Sequence, residues 1–125
     1  MNKNINLKSI DVDNKGTFIE FCTHELTFLG MSGQPYRGTL YIQYITNNKV
    51  LDLLSLKKYI ESLKMETIIL EDIAKVVYDS INSVLECTEL CVTANTTPRG
   101  GISSTIRYGY DKFNKPEMKP IVFGN

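Results

Sequence analysis

Ile69, Ile73, Val76, Val77, Ile81 and Leu85 recur at the spacing of one helix face, while Asp72, Lys75, Asp79 and Asn82 fall outside that stripe. A stripe of this kind predicts an amphipathic helix over about 68–85, which must bury one side against other structure. The flanking chain says what that structure is. From Thr17 to Leu29, with Phe18, Phe21, Leu26 and Phe28, apolar and polar residues mix in strand fashion. Met31 to Pro35 has turn chemistry, and Thr39 to Ile45 is rich in β-branched and aromatic residues, so the two runs read as a hairpin closed by Asn47-Asn48-Lys49. Ser55 is placed to cap a shorter helix over Leu56–Leu63. Beyond the long helix, Glu89 to Thr96 and Ile102 to Tyr108 read as strands joined by Pro98-Arg99-Gly100-Gly101. The order β-β-α-α-β-β implies an α+β fold, with one antiparallel sheet carrying helices on one face. Such a sheet has two open edges, and side-by-side copies pairing those edges would close a barrel.

The 125 residues suffice for one domain with a single core. Residues 1–15 read as a loose polar start, and the stretch from 111 to 125, with Pro116 and Pro120, as an irregular tail. Formal net charge is zero, so no global field favours nucleic acid or an anionic membrane. The polar N-terminus lacks the apolar core of a signal peptide, and no apolar run approaches a membrane span; the expectation is a cytoplasmic protein. Cys22, Cys87 and Cys91 are odd in number and irregularly spaced, which suits reduced thiols rather than a disulfide framework.

Thr97-Pro98-Arg99-Gly100-Gly101-Ile102-Ser103, Ser32-Gly33-Gln34-Pro35, Glu71 and the segment Val50 to Tyr59 together resemble the 7-cyano-7-deazaguanine reductases of queuosine synthesis, members of the tunnelling-fold superfamily. The resemblance covers roughly residues 20 to 109. It implies the tunnelling fold, barrels with sites between subunits, and a small guanine-like or pterin-like ligand. It makes Glu71 the residue that reads the heterocycle, with Arg99, Gly100 and Gln34 on the ligand rim. It links Ser55, Lys57 and Tyr59 to NADPH. The chain also departs from that pattern. The nucleophilic cysteine position falls on Leu29 or Gly30, the general-acid aspartate aligns with Tyr36, and the histidine preceding the glutamate aligns with Leu70. In the cofactor segment Asp52-Leu53-Leu54 replaces Glu-Ser-Lys. Thioimide chemistry needs a thiolate beside a proton donor, and both are missing at these positions.

The chemistry of Glu71 suits its implied role, because a carboxylate accepts two parallel N–H bonds from a ring nitrogen and an exocyclic amine. The plain alternative is a solvated i, i+4 pair with Lys75. Arg99-Gly100-Gly101 is either an anion-binding turn or a strand connection in which the glycines permit positive φ. Tyr36 and Cys22 are the candidate catalytic groups. A second reading follows a superficial likeness to tunnelling-fold GTP cyclohydrolases: Cys22, His24 or Glu25, and Cys91 would hold a catalytic zinc. Against it, strand register sets Cys22 ~20 Å from the implied ligand position. Three functions follow: a divergent reductase-like protein binding a deazaguanine-type ring, a metal-dependent pterin or purine enzyme, and a nonenzymatic oligomeric module.

Overall fold

The computed structural model describes residues 7–109. Its elements are β1 (Ser9–Leu29), β2 (Pro35–Leu51), α1 (Leu53–Ser62), α2 (Ile73–Leu85), β3 (Leu90–Arg99) and β4 (Ile102–Gly109), with 3₁₀ turns at Leu63–Met65 and Leu70–Asp72. The four strands form one antiparallel sheet in the order β1-β2-β3-β4. This is the β-β-α-α-β-β arrangement read from the sequence, with its expected α+β character.

The core follows from alternation along the central strands. Leu40, Ile42 and Tyr44 of β2 and Leu90, Val92 and Ala94 of β3 are buried. They join Leu56, Leu63, Ile73, Ala74, Val77, Ile81 and Leu85 from the helical layer in one cluster. A one-residue bulge between Thr23 and Leu26 shifts the alternation of β1, so that Leu26 and Phe28 enter the same core. The Tyr44 hydroxyl accepts from the Leu51 amide at 3.1 Å, which ties the middle of β2 to its C-terminal end from inside.

Several boundaries differ from the sequence reading. β1 begins at Ser9, so residues 9–15 are strand rather than loose chain. Asn47 to Lys49 continue β2 instead of ending it, with Asn48 at a φ of 66°. Ser55 is not the cap of α1. The Asp52 carboxylate accepts the Ser55 amide at 2.9 Å and starts the helix three residues earlier, at Leu53. Ser55 lies one turn inside, where its hydroxyl donates to Asp52 O and accepts the Lys8 amide, both at 2.9 Å. α2 proper begins at Ile73, preceded by the short turn that carries Glu71. The tail from 111 lies outside the described residues.

Candidate functional site

Three connections meet at one end of the sheet. The first is the turn between β1 and β2. Gly30 N donates to Gln34 O at 2.7 Å and Gly33 N to Gly30 O at 2.9 Å. Within it the Ser32 hydroxyl donates to Gln34 Oε1. The second is the β3–β4 turn, where Arg99 pairs with Ile102 and both Gly100 (φ 64°) and Gly101 (φ 85°) take positive φ, as a tight two-residue hairpin turn requires. The Thr97 hydroxyl donates to Arg37 O at 3.2 Å, joining this turn to the start of β2. The third is residues 66–72. Leu29 N donates to Glu66 O and Ile68 N to Leu29 O, each at 2.9 Å, which fastens this segment alongside the end of β1. The Leu70–Asp72 turn then packs against β4. Gln34, Glu71, Arg99 and Gly100, scattered in sequence, are thereby brought to a common end of the fold.

Glu71 is exposed at the entry to α2. Its alternative partner is engaged elsewhere: Lys75 Nζ sits 2.7 Å from Asp79 Oδ2 and 5.6 Å from the Tyr108 ring centre. The Asp79 carboxylate accordingly holds the Lys75 ammonium above its ordinary range. Among the described residues Glu71 has no ion pair. Tyr36 stacks on buried Phe28, ring centres 5.2 Å apart, and its edge lies over Gly30.

The three thiols lie elsewhere. Cys22 is opposite Tyr41, six residues along the ladder from the Leu29–Pro35 pair and so ~20 Å from the turn. Cys91 is buried in β3 opposite Gln43. Cys87 follows α2 at the other end of the sheet, and burial pushes its thiol pKa up. The zinc grouping is not assembled. Cys22 on β1 and Cys91 on β3 are separated by the whole of β2, about 10 Å at ordinary strand spacing. His24 turns to Thr39 instead, with Nδ1 3.1 Å from its hydroxyl. Among the described residues no three His, Cys, Asp or Glu side chains gather as a metal site would need.

Two of the three residues linked to the cofactor are used by the fold itself. Ser55 belongs to the α1 cap. Tyr59 is buried, and its hydroxyl donates to Ser80 Oγ at 3.0 Å. Lys57 is exposed and lines a groove of about 540 Å³ between α1 and the β1–β2 hairpin, with Phe21, Leu40, Ile42, Leu56 and Ile60 as its apolar walls. Leu53 and Leu54, exposed at the start of α1, make one lip of this groove apolar. Sequence reasoning missed the groove, because it depends on how α1 lies against β1. It also missed the Ser32–Gln34 bond, for which the only signal was a serine two residues before the glutamine.

A four-stranded antiparallel sheet with helices on one face is also the fold of a solved archaeosine synthase QueF-Like in its apo form. The two superpose with a TM-score of 0.70 over 76% of this chain and 94% of that one, at 16% identity. The model of the QueF-like protein family matches residues 35–115. The NADPH-dependent 7-cyano-7-deazaguanine reductase of Staphylococcus saprophyticus is 32% identical over 116 residues, 90% of this chain and 68% of the relative. That of Bacillus licheniformis is 32% identical over 108 residues, 86% of this chain and 64% of the relative. The chain belongs to the QueF-like family, and spans about two thirds of the length of these relatives.

Those relatives are named as NADPH-dependent. Of the three residues linked to that cofactor, Ser55 and Tyr59 are committed to internal bonds, and Lys57 is exposed in the groove, which Lys64 and the exposed Leu53 and Leu54 also line. Among the described residues, no helix is long and apolar enough to cross a membrane.

Proposed function

We propose that this chain is a divergent, cytoplasmic member of the queuosine-pathway family that binds a guanine-type or 7-deazaguanine-type heterocycle through Glu71 and does not reduce it through a thioimide. The observation that carries the binding role is the Glu71 carboxylate itself. It is exposed, left unpaired by Lys75, and held at the sheet end that also bears the Gln34 and Arg99 turns. A carboxylate in that state can accept the ring N–H and exocyclic amine of such a base in parallel. Among the described residues, both sheet edges, β1 and β4, are open. Head-to-tail copies pairing β4 with a neighbour's β1 bring one copy's Glu71 turn, packed on β4, toward the next copy's β1–β2 turn. The site is therefore a shared one, completed by Gln34 and the Arg99 turn.

The absence of thioimide chemistry rests on thiol placement. A nitrile carbon held near Glu71 would need a thiolate within bonding reach. All three cysteines lie away from this end, and two of them are buried. Calorimetric titration with 7-cyano-7-deazaguanine tests the binding role. Wild type binds, and Glu71→Gln, which turns one acceptor oxygen into a donor, weakens binding more than tenfold. Equal affinity in the two proteins, or no binding to wild type, refutes it. Spectrophotometry with NADPH and the same nitrile tests the second part; sustained oxidation abolished by Cys22→Ala would overturn it.

A further inference from the structure

The orientation of the Gln34 side chain is set inside its own turn. Its Oε1 accepts the Ser32 hydroxyl, while its backbone carbonyl accepts the Gly30 amide at 2.7 Å. Its amide nitrogen lies above buried Gly30, 3.2 Å from the point where a β-carbon on residue 30 would stand; the Tyr36 ring edge is 2.8 Å from that same point. Among the described residues Nε2 has no acceptor. A carboxamide carries one acceptor and two donors. With the acceptor consumed by Ser32, a half-buried Gln34 presents only N–H groups to whatever lies at this end of the sheet.

We propose that Ser32 is a positioning residue that fixes the Gln34 carboxamide as a donor, and that Gln34 thereby selects heterocycles bearing a ring carbonyl over their amino-substituted counterparts. This deepens the reading of Glu71 and rests on it. A guanine-type ring that offers its ring N–H and exocyclic amine to a carboxylate carries its oxo group immediately beside that N–H. A donor on that flank completes recognition of the lactam. An amine at the same ring position would set donor against donor and leave both unpaired. An amino-substituted ring also lacks the ring N–H, so Glu71 disfavours it as well; the fixed amide adds a second, separate discrimination at the oxo flank.

The test is titration of the full chain with two probes, 7-cyano-7-deazaguanine and its 2,6-diamino counterpart. Wild type is expected to prefer the lactam by about a hundredfold, about tenfold from each of the two mismatched contacts, at Gln34 and at Glu71. Ser32→Ala frees the carboxamide to rotate and cuts that preference about fivefold, leaving the share that Glu71 supplies. Ser32→Thr, which keeps the hydroxyl, restores it. Gln34→Glu, which replaces the donor by an acceptor, brings it below the share that Glu71 supplies. An unchanged preference in Ser32→Ala overturns the proposal, and so does a parallel loss of affinity for both probes, because a merely structural serine would move the two together. Either result leaves the Glu71 reading standing. Failure of wild type to bind either probe removes that reading, and this one with it.

Discussion

Replacing Gly38 by alanine tests whether the candidate site depends on the closeness of β2 and β3. Gly38 is paired with Leu26 on one side and Thr96 on the other, at the end of the sheet where the three connections meet. Its φ is not positive, so the backbone conformation suits alanine. The obstacle is space. A β-carbon would stand 2.0 Å from the Asn95 carbonyl oxygen, and 2.9 Å from both Asn95 C and Thr96 Cα. Ordinary carbon–oxygen contacts begin at about 3.3 Å, so the β3 backbone must retreat by more than 1 Å. That movement breaks about two ladder hydrogen bonds, each worth about 0.5–1.5 kcal/mol net, and adds overpacking strain of about 1–3 kcal/mol. The sum is a loss of about 2–6 kcal/mol, or roughly 10–25 °C in Tm for a domain of this size. Urea unfolding followed by circular dichroism measures the loss, and amide exchange at Thr96 and Thr97 locates it. A variant that unfolds within 0.5 kcal/mol of wild type, with those amides still protected, would refute the steric reasoning.

Other consequences follow from single observations. Asp52→Ala removes the carboxylate that accepts the Ser55 amide and should cost about 1 kcal/mol, seen as a lower urea midpoint with unchanged slope. Mass spectrometry after brief maleimide treatment of native protein should show one label, on exposed Cys22; buried Cys87 and Cys91 should react only in denaturant. Burial raises the pKa of Tyr44 and Tyr59 above the usual 10.0, although hydrogen bonds to Leu51 and Ser80 partly oppose it. The folded chain therefore keeps phenolic protons that the unfolded chain releases. Stability should begin to fall near pH 9, where the Cys87 thiol, also raised by burial, first contributes, and fall further above about 10. Tyr59→Phe should make that alkaline decline shallower in melts at pH 9, 10 and 11.

The sequence disclosed the sheet and both hairpins because their signals are local. Alternating apolar residues at 40, 42 and 44 and the α2 stripe through Ile73, Val77 and Ile81 each report burial directly. The first part of β1 carried no such signal. Asp11, Asp13, Asn14 and Lys15 are exposed edge residues, held by backbone pairing and by cross-strand polar contacts. Examples are the 3.1 Å Asp11–Lys49 bridge and the Asn14 side chain, which accepts from both Thr17 and Thr46. The start of α1 was ambiguous because Asp52 and Ser55 are both capping residues, and only the register of the Asp52–Ser55 bond decides between them. The candidate site was legible in composition but not in assembly. Lys75 had acidic neighbours at both i−4 and i+4, and its choice of Asp79 is what leaves Glu71 available. The amide orientation of Gln34 depends on a turn geometry that no spacing rule encodes.

The Tyr36 ring standing over Gly30 also constrains how this protein can change. A new side chain at residue 30 would begin 2.8 Å from that ring, before any sulfur is added beyond its β-carbon. Tyr36 is itself stacked on Phe28, which is fully enclosed, so the ring has little freedom to withdraw. Installing a thiol there requires the Tyr36 ring to move or to shrink. The residue at 36 and any nucleophile at 30 are thus coupled, because an aromatic ring in this corner and a thiol beneath it compete for one volume.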